Sequence, residues 1–168
     1  MSQNPDTDTI DTLAGIGPGS ALARLRAQRP QVREFLQGSD DALLRPTDWA
    51  DLPAVEREAV ALRVAVLNHS EKLAARHRAA LQKLDVDQAT LQQIEAPKPS
   101  VAPRLKALLA HTDLLTLRPR DAKPAHLQAL RDQGLSDRAI VSLAQLVSYA
   151  SFQVRLLAGL KALAGEAA

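Results

Sequence analysis

Few side chains in this sequence have the chemistry to react. Its 168 residues include no cysteine and only four histidines, His69, His77, His111 and His126. The lack of thiols removes disulfides, thiolate catalysis, iron–sulfur ligation and cysteine zinc sites together. Any redox role would need a bound cofactor. His69 and His77 stand eight residues apart, not the single helical turn that brings two ligands to one metal, and no H-E-x-x-H pattern occurs. No metal site and no cofactor are expected. His111 and His126 are isolated, as surface or interface histidines usually are. Gly15-Ile16-Gly17-Pro18-Gly19 has the glycine content of a phosphate loop. No strand precedes it, no Lys-Ser/Thr follows, and Pro18 deletes an amide that would cradle a phosphate, so it reads as a turn. Arg24, Arg26, Arg29 and Arg33 read as a solvated basic edge.

The elements that must position these groups are helices. Ala, Leu, Arg and Gln are abundant, and β-branched and aromatic residues never alternate over a strand's length, so the chain reads as all-α. Residues 1–8 are expected to be a disordered N-terminus and 9–168 a single helical domain. Ser20 caps a short helix ending near Arg29-Pro30, and a second short helix runs from Pro30 to about Leu36. The stretch 38–51, carrying Trp49, reads mostly as loop. Pro53 sits at the first turn of a helix reaching about Asn68, with Val55, Ala59, Leu62 and Val66 at helical spacing. Asn68 opens a capping box with Glu71, which starts a helix running to about Leu84. Asp87 caps a short helix to Glu95. Ala96-Pro97-Lys98-Pro99-Ser100 is the clearest breaker, a linker between two helical halves with Ser100 as the next N-cap. Helices follow at about 101–117 and 124–133, the latter stopped by Gly134, and Ser136 caps a long one from 137 to about 163. In that last helix Ile140, Leu143, Ala144, Val147, Ala150, Val154 and Leu157 keep the helical spacing, while Val141, Leu146, Leu156 and Leu160 widen the stripe. It reads as the central helix of a bundle or as a subunit interface.

The segment from Glu56 to His77 resembles the core of the carboxymuconolactone decarboxylase and alkylhydroperoxidase D-like superfamily, in its peroxidase-related branch. The peroxidases of that family carry a Glu, eleven residues, a Cys, two residues, a second Cys, three residues and a His; the frame here reads Glu58, Ser70, Leu73, His77. A second stretch, from Ala107 through Asp113, Thr116 and Pro119 to Gly134, Asp137, Ile140 and Tyr149, is similar to the C-terminal half of the same branch. The resemblance covers about 55–160 and implies an alkylhydroperoxidase D-like helical bundle, with the helices from Pro53 and Ser70 forming a hairpin around the site. In the family's chemistry a thiol at a helix start is activated by the helix dipole and a Glu/His proton relay, and a second thiol resolves its sulfenic acid. Ser70 has no accessible oxidised state and Leu73 nothing to resolve with, so thiol peroxidase turnover is chemically impossible at this site.

Three readings of the remaining residues stand. In the first, Glu58 and His77 are a satisfied buried polar pair or simply solvated, and Ser70 is a helix-start residue. Alternatively, Glu58, His69, Ser70 and His77 do acid–base work on a small organic acid, as the cysteine-free decarboxylase branch implies. In the third reading the protein binds a small molecule or a partner.

The remaining composition bounds the setting. Hydrophobic residues at 46% and charged residues at 24% are those of a chain that folds. A formal charge of +2 is a small surplus, and aromatics at 2% are too few for base-stacking platforms, so nucleic acid is not expected. The acidic, polar first residues lack the look of an export signal, and Arg155 and Lys161 interrupt the apolar tail, so no membrane association is expected. The expectation is a soluble, cytoplasmic homo-oligomer, dimer- or trimer-based, since the family resemblance implies oligomers built on such apolar helices.

Overall fold

The computed structural model describes residues 8–49 and 51–165, and every regular element among them is helical. In chain order these are α1 (Thr9–Ala14), α2 (Ala21–Ala27), α3 (Pro30–Leu44), α4 (Ala54–Leu67), α5 (Glu71–Lys83), α6 (Gln88–Glu95), α7 (Pro103–Leu117), a 3-10 turn (Pro119–Asp121), α8 (Pro124–Arg131) and α9 (Asp137–Leu163). Their starts follow from capping. The side chains of Asp8, Ser20, Asp87 and Ser136 each accept a first-turn amide, of Asp11, Ala23, Thr90 and Ala139. Proline opens α3, α7 and α8, where its missing N–H has no bond to lose.

Helix α4 is the axis of the bundle, packing against α3, α5, α6, α7 and α9. Every residue from Arg57 to Ala65 is buried. Its two sides serve two apolar clusters. Val60, Ala61 and Val64 join Leu108, Leu143 and Val147, whereas Ala59, Leu62 and Ala65 join Leu73, Leu81, Leu91 and Leu157. A helix buried all round must be apolar or small except where its polar side chains find partners, and the alanines let its neighbours approach closely. The long helix α9 is less enclosed. It packs on α1, α3, α4, α7 and α8 but leaves Val141 58% and Phe152 43% exposed. The central position expected of it belongs to α4.

Polar clamps hold the helices in register. Arg63 of α4 donates to both oxygens of Asp113 on α7, at 2.6 and 2.7 Å, and to the carbonyls of Ile94 and Ala96. The proline-rich breaker is thereby tied to the core. Arg104 pairs with Glu56 and also reaches the carbonyls of Asp51 and Gln133. Asp51 in turn accepts from the backbone N–H and the hydroxyl of Ser136 at the start of α9.

Several boundaries differ from expectation. Helix α1 was not anticipated; Asp8 caps it, and the rest of the expected disordered terminus lies outside the described residues. Helix α3 continues through Gly38 to Leu44, because burial of Asp40 and Leu44 holds a polar stretch in helical form. The next helix after the breaker is capped by Ala102 rather than Ser100. Asn68 does not open α5 but closes α4, its side-chain amide donating to Val64 O at 2.8 Å. The basic edge is not wholly solvated either, since Arg26 and Arg33 both pair with Asp8 and Asp11.

Candidate functional site

The α4–α5 hairpin turns within three residues, Asn68, His69 and Ser70. His69 N–H donates to Val66 O at 3.0 Å and Ser70 N–H to Ala65 O at 2.9 Å, with His69 left-handed at φ 54. These are the two bonds of a Schellman stop, with histidine where glycine is usual. His69 is exposed, and its backbone makes the turn. Ser70 then caps α5 by position alone: its hydroxyl makes no capping bond, and its carbonyl accepts from Ala74 N–H at 2.9 Å.

Below this turn the two outer residues of the frame meet. His77 Nδ1 lies 2.7 Å from Glu58 Oε2, with His77 1% and Glu58 8% exposed. The nineteen-residue separation is what an antiparallel hairpin needs to place one side chain of each helix at the same level. The contact joins one ring nitrogen of His77 to one carboxylate oxygen of Glu58 and leaves Nε2 outside the pair. Leu73, one turn before His77 on α5, is 1% exposed and packs in the cluster with Ala65, Ala74 and Leu81. Ser70 is half-buried at the helix start. The structure thus joins Glu58 to His77, puts Leu73 in the core beside them, and turns His69 outward.

A second polar centre, not read from the sequence, lies where α3 meets α5 and α9. The carboxylate of Asp40 is wholly buried and accepts from both terminal nitrogens of Arg76, at 2.9 and 2.6 Å, and from Arg45 at 2.6 Å. Gln153 Nε2 donates to it at 3.2 Å, and Tyr149 donates to Leu36 O at 3.0 Å. Burial pushes the Asp40 carboxyl up, and the two guanidinium groups outweigh this and hold it below the ordinary carboxylate value. Burial and the Asp40 charge push the Tyr149 phenol the other way, well above its ordinary range. Arg76 immediately precedes His77, so α5 sends adjacent residues to two buried acids on different helices. A polar run inside an apparent loop was the one trace of Asp40 in the sequence.

The other two histidines lie outside the hairpin. His126 Nδ1 accepts from Lys123 N–H at 3.0 Å and caps α8. His111 is not at the surface; it is buried in α7, and burial lowers its pKa.

The hairpin that carries the buried Glu58–His77 pair is set in an all-α bundle, and it is the fold of this bundle that comparison with solved structures identifies. The chain is similar to an uncharacterized peroxidase-related protein from a Silicibacter species, with TM-score 0.70 over 77% of this chain and 68% of that one, at 20% identity. It is also similar to the alkylhydroperoxidase AhpD core of an uncharacterized peroxidase-related protein from Ralstonia eutropha, with TM-score 0.72 over 89% of this chain and 78% of that one, again at 20% identity. No family model and no curated protein matches it. The chain has the alkylhydroperoxidase D-like fold.

Proposed function

We propose that this is an alkylhydroperoxidase D-like protein with a degenerate redox site, acting in the cytoplasm by binding a small molecule or a partner rather than by thiol peroxidase turnover. The observation that carries this reading is the closure of the site. A peroxidatic centre needs a thiol reachable by peroxide and a second sulfur within reach of the first. Here Leu73 is part of the apolar core, and the Glu58–His77 pair one turn further along α5 is buried. The pair is retained because each partner satisfies the other in a place where an unpaired polar group would destabilise the fold.

A second reading has one observation in its favour: Ser70 is half-buried and its hydroxyl makes no capping bond. It is therefore uncommitted at the mouth of the hairpin, where acid–base work with Glu58 and His77 on a small organic acid would need it.

One pair of variants tests the proposal. The wild-type chain is expected to reduce no hydroperoxide with a dithiol donor. The double variant Ser70→Cys, Leu73→Cys is expected to carry a thiol that titrates near or above the free value of about 8.5 and reacts sluggishly. A thiol well below that value with rapid peroxide reduction would show a working relay and an open site, against the closure on which the reading rests.

A further inference from the structure

Two arginines of α4 are almost wholly buried, and the fold treats them differently. Arg63 has a carboxylate, that of Asp113. Arg57, 2% exposed, has carbonyls only. Its Nε donates to Leu52 O at 2.7 Å, Nη1 to Leu43 O at 2.8 Å and Nη2 to Trp49 O at 3.2 Å, and the guanidinium lies 5.6 Å from the centre of the Trp49 ring. No acidic side chain among the described residues pairs with it. Carbonyl dipoles and an aromatic face stabilise a cation without neutralising it, and burial lowers the pKa of Arg57 from the ordinary arginine value. Each terminal nitrogen also keeps a second N–H that these carbonyls do not use.

Arg57 lines an open cavity of about 510 Å³ formed by the end of α3, the segment after it and the first turns of α9. The other charges around this cavity are already matched. Arg45 is committed to Asp40 and Asp41, and Arg138 pairs with Asp48 at 2.7 Å. The cavity is left with one positive charge in excess, on the side chain least able to reach water. Leu43 and Pro46 supply apolar wall, and Ser142 and Gln145 supply neutral polar groups from α9.

We propose that this cavity is a binding site for a small organic monocarboxylate, with Arg57 as its counter-charge. A single negative charge matches the excess, a planar carboxylate matches the guanidinium fork, and the apolar wall accommodates a short aliphatic tail. The volume lies in the range of small-molecule sites. The site involves neither Glu58 nor His77, so it stands or falls separately from the reading of the hairpin.

Trp49 is the only tryptophan in the chain and its ring faces the Arg57 guanidinium, so intrinsic fluorescence reports on the site through Arg57. Titration of the wild-type protein with butyrate at constant ionic strength is expected to give a saturable fluorescence change. Butyramide, which has the same shape without the charge, is expected to give none. Ser142→Phe, which fills the cavity from α9 and leaves Arg57 in place, is expected to weaken the butyrate response about tenfold or more at unchanged helicity. Arg57→Gln should abolish it. An unsaturable or absent butyrate response overturns the proposal, as does an equal response to butyramide or undiminished binding by Ser142→Phe. Inorganic phosphate reproducing the butyrate curve would show a generic anion effect and would likewise overturn the carboxylate assignment.

Discussion

Replacing Asp40 with asparagine probes the polar centre that ties α3 to α5 and α9. The substitution preserves shape but removes the charge on which Arg76 and Arg45 converge, and it turns one acceptor into an amide facing a guanidinium. Breaking a buried ion pair from one side costs about 3–5 kcal/mol. The lower end applies here, because the Arg76 side chain is 20% and that of Arg45 46% exposed and both recover some hydration. About 3 kcal/mol in a domain of this size corresponds to a fall in Tm of about 6–12 °C, read by thermal circular dichroism near neutral pH. The pH dependence supplies the second arm. The folded Asp40 carboxyl lies below its unfolded value, near 3.8, so its stabilisation is fully present above the unfolded pKa and is lost as pH falls through the folded one. The advantage of wild type over Asp40→Asn should stay level from about pH 7 to about pH 5 and shrink below about pH 4. A Tm difference under about 2 °C, or an advantage unchanged in acid, would refute the assignment of Asp40 as an ionised anchor.

Two further outcomes are expected. His69→Gly relieves a left-handed non-glycine residue and should raise stability by about 1 kcal/mol, or about 2–4 °C in Tm; a lower Tm would show that the His69 side chain contributes more than its backbone turn. Wild-type protein should sediment as a dimer or trimer at tens of micromolar, roughly where a stable interface is populated, through the exposed apolar residues of α9, and Val141→Glu should shift it toward monomer. A wild-type monomer at that concentration would rule the interface out.

The hairpin was legible because it rests on local rules, whereas Glu58 and His77 stood out only through the family frame they resemble. Pro53, the periodic run after it and that frame all lie within two adjacent helices. Ser136 as the cap of α9 was equally local. The centrality of α4 was hidden for a physical reason. Ala59, Ala61 and Ala65 contribute little hydropathy, and Arg57 and Arg63 look like solvent-facing residues until carbonyls and Asp113 gather around them. The same holds for α3, where Gly38, Ser39, Asp40 and Asp41 have the composition of a loop. Only partners from distant parts of the chain, Arg76 and Gln153, make Asp40 a core residue. The Schellman stop at His69 was missed because Asn68 and Glu71 offered a capping box that fits the sequence equally well.

The burial of Leu73 also governs which mutational paths lead out of this sequence. A dithiol at the hairpin needs two substitutions, at Ser70 and Leu73, and neither thiol can close an internal disulfide without the other. Exchanging Leu73 alone for cysteine removes methyl groups from a tight apolar cluster and costs about 2 kcal/mol, a sizeable share of the roughly 5–15 kcal/mol that holds a domain together. Exchanging Ser70 first carries little penalty but leaves an oxidisable sulfur with no resolving partner. Each single step is therefore neutral or harmful, so the packing of one leucine acts as a ratchet that holds the chain away from thiol redox chemistry.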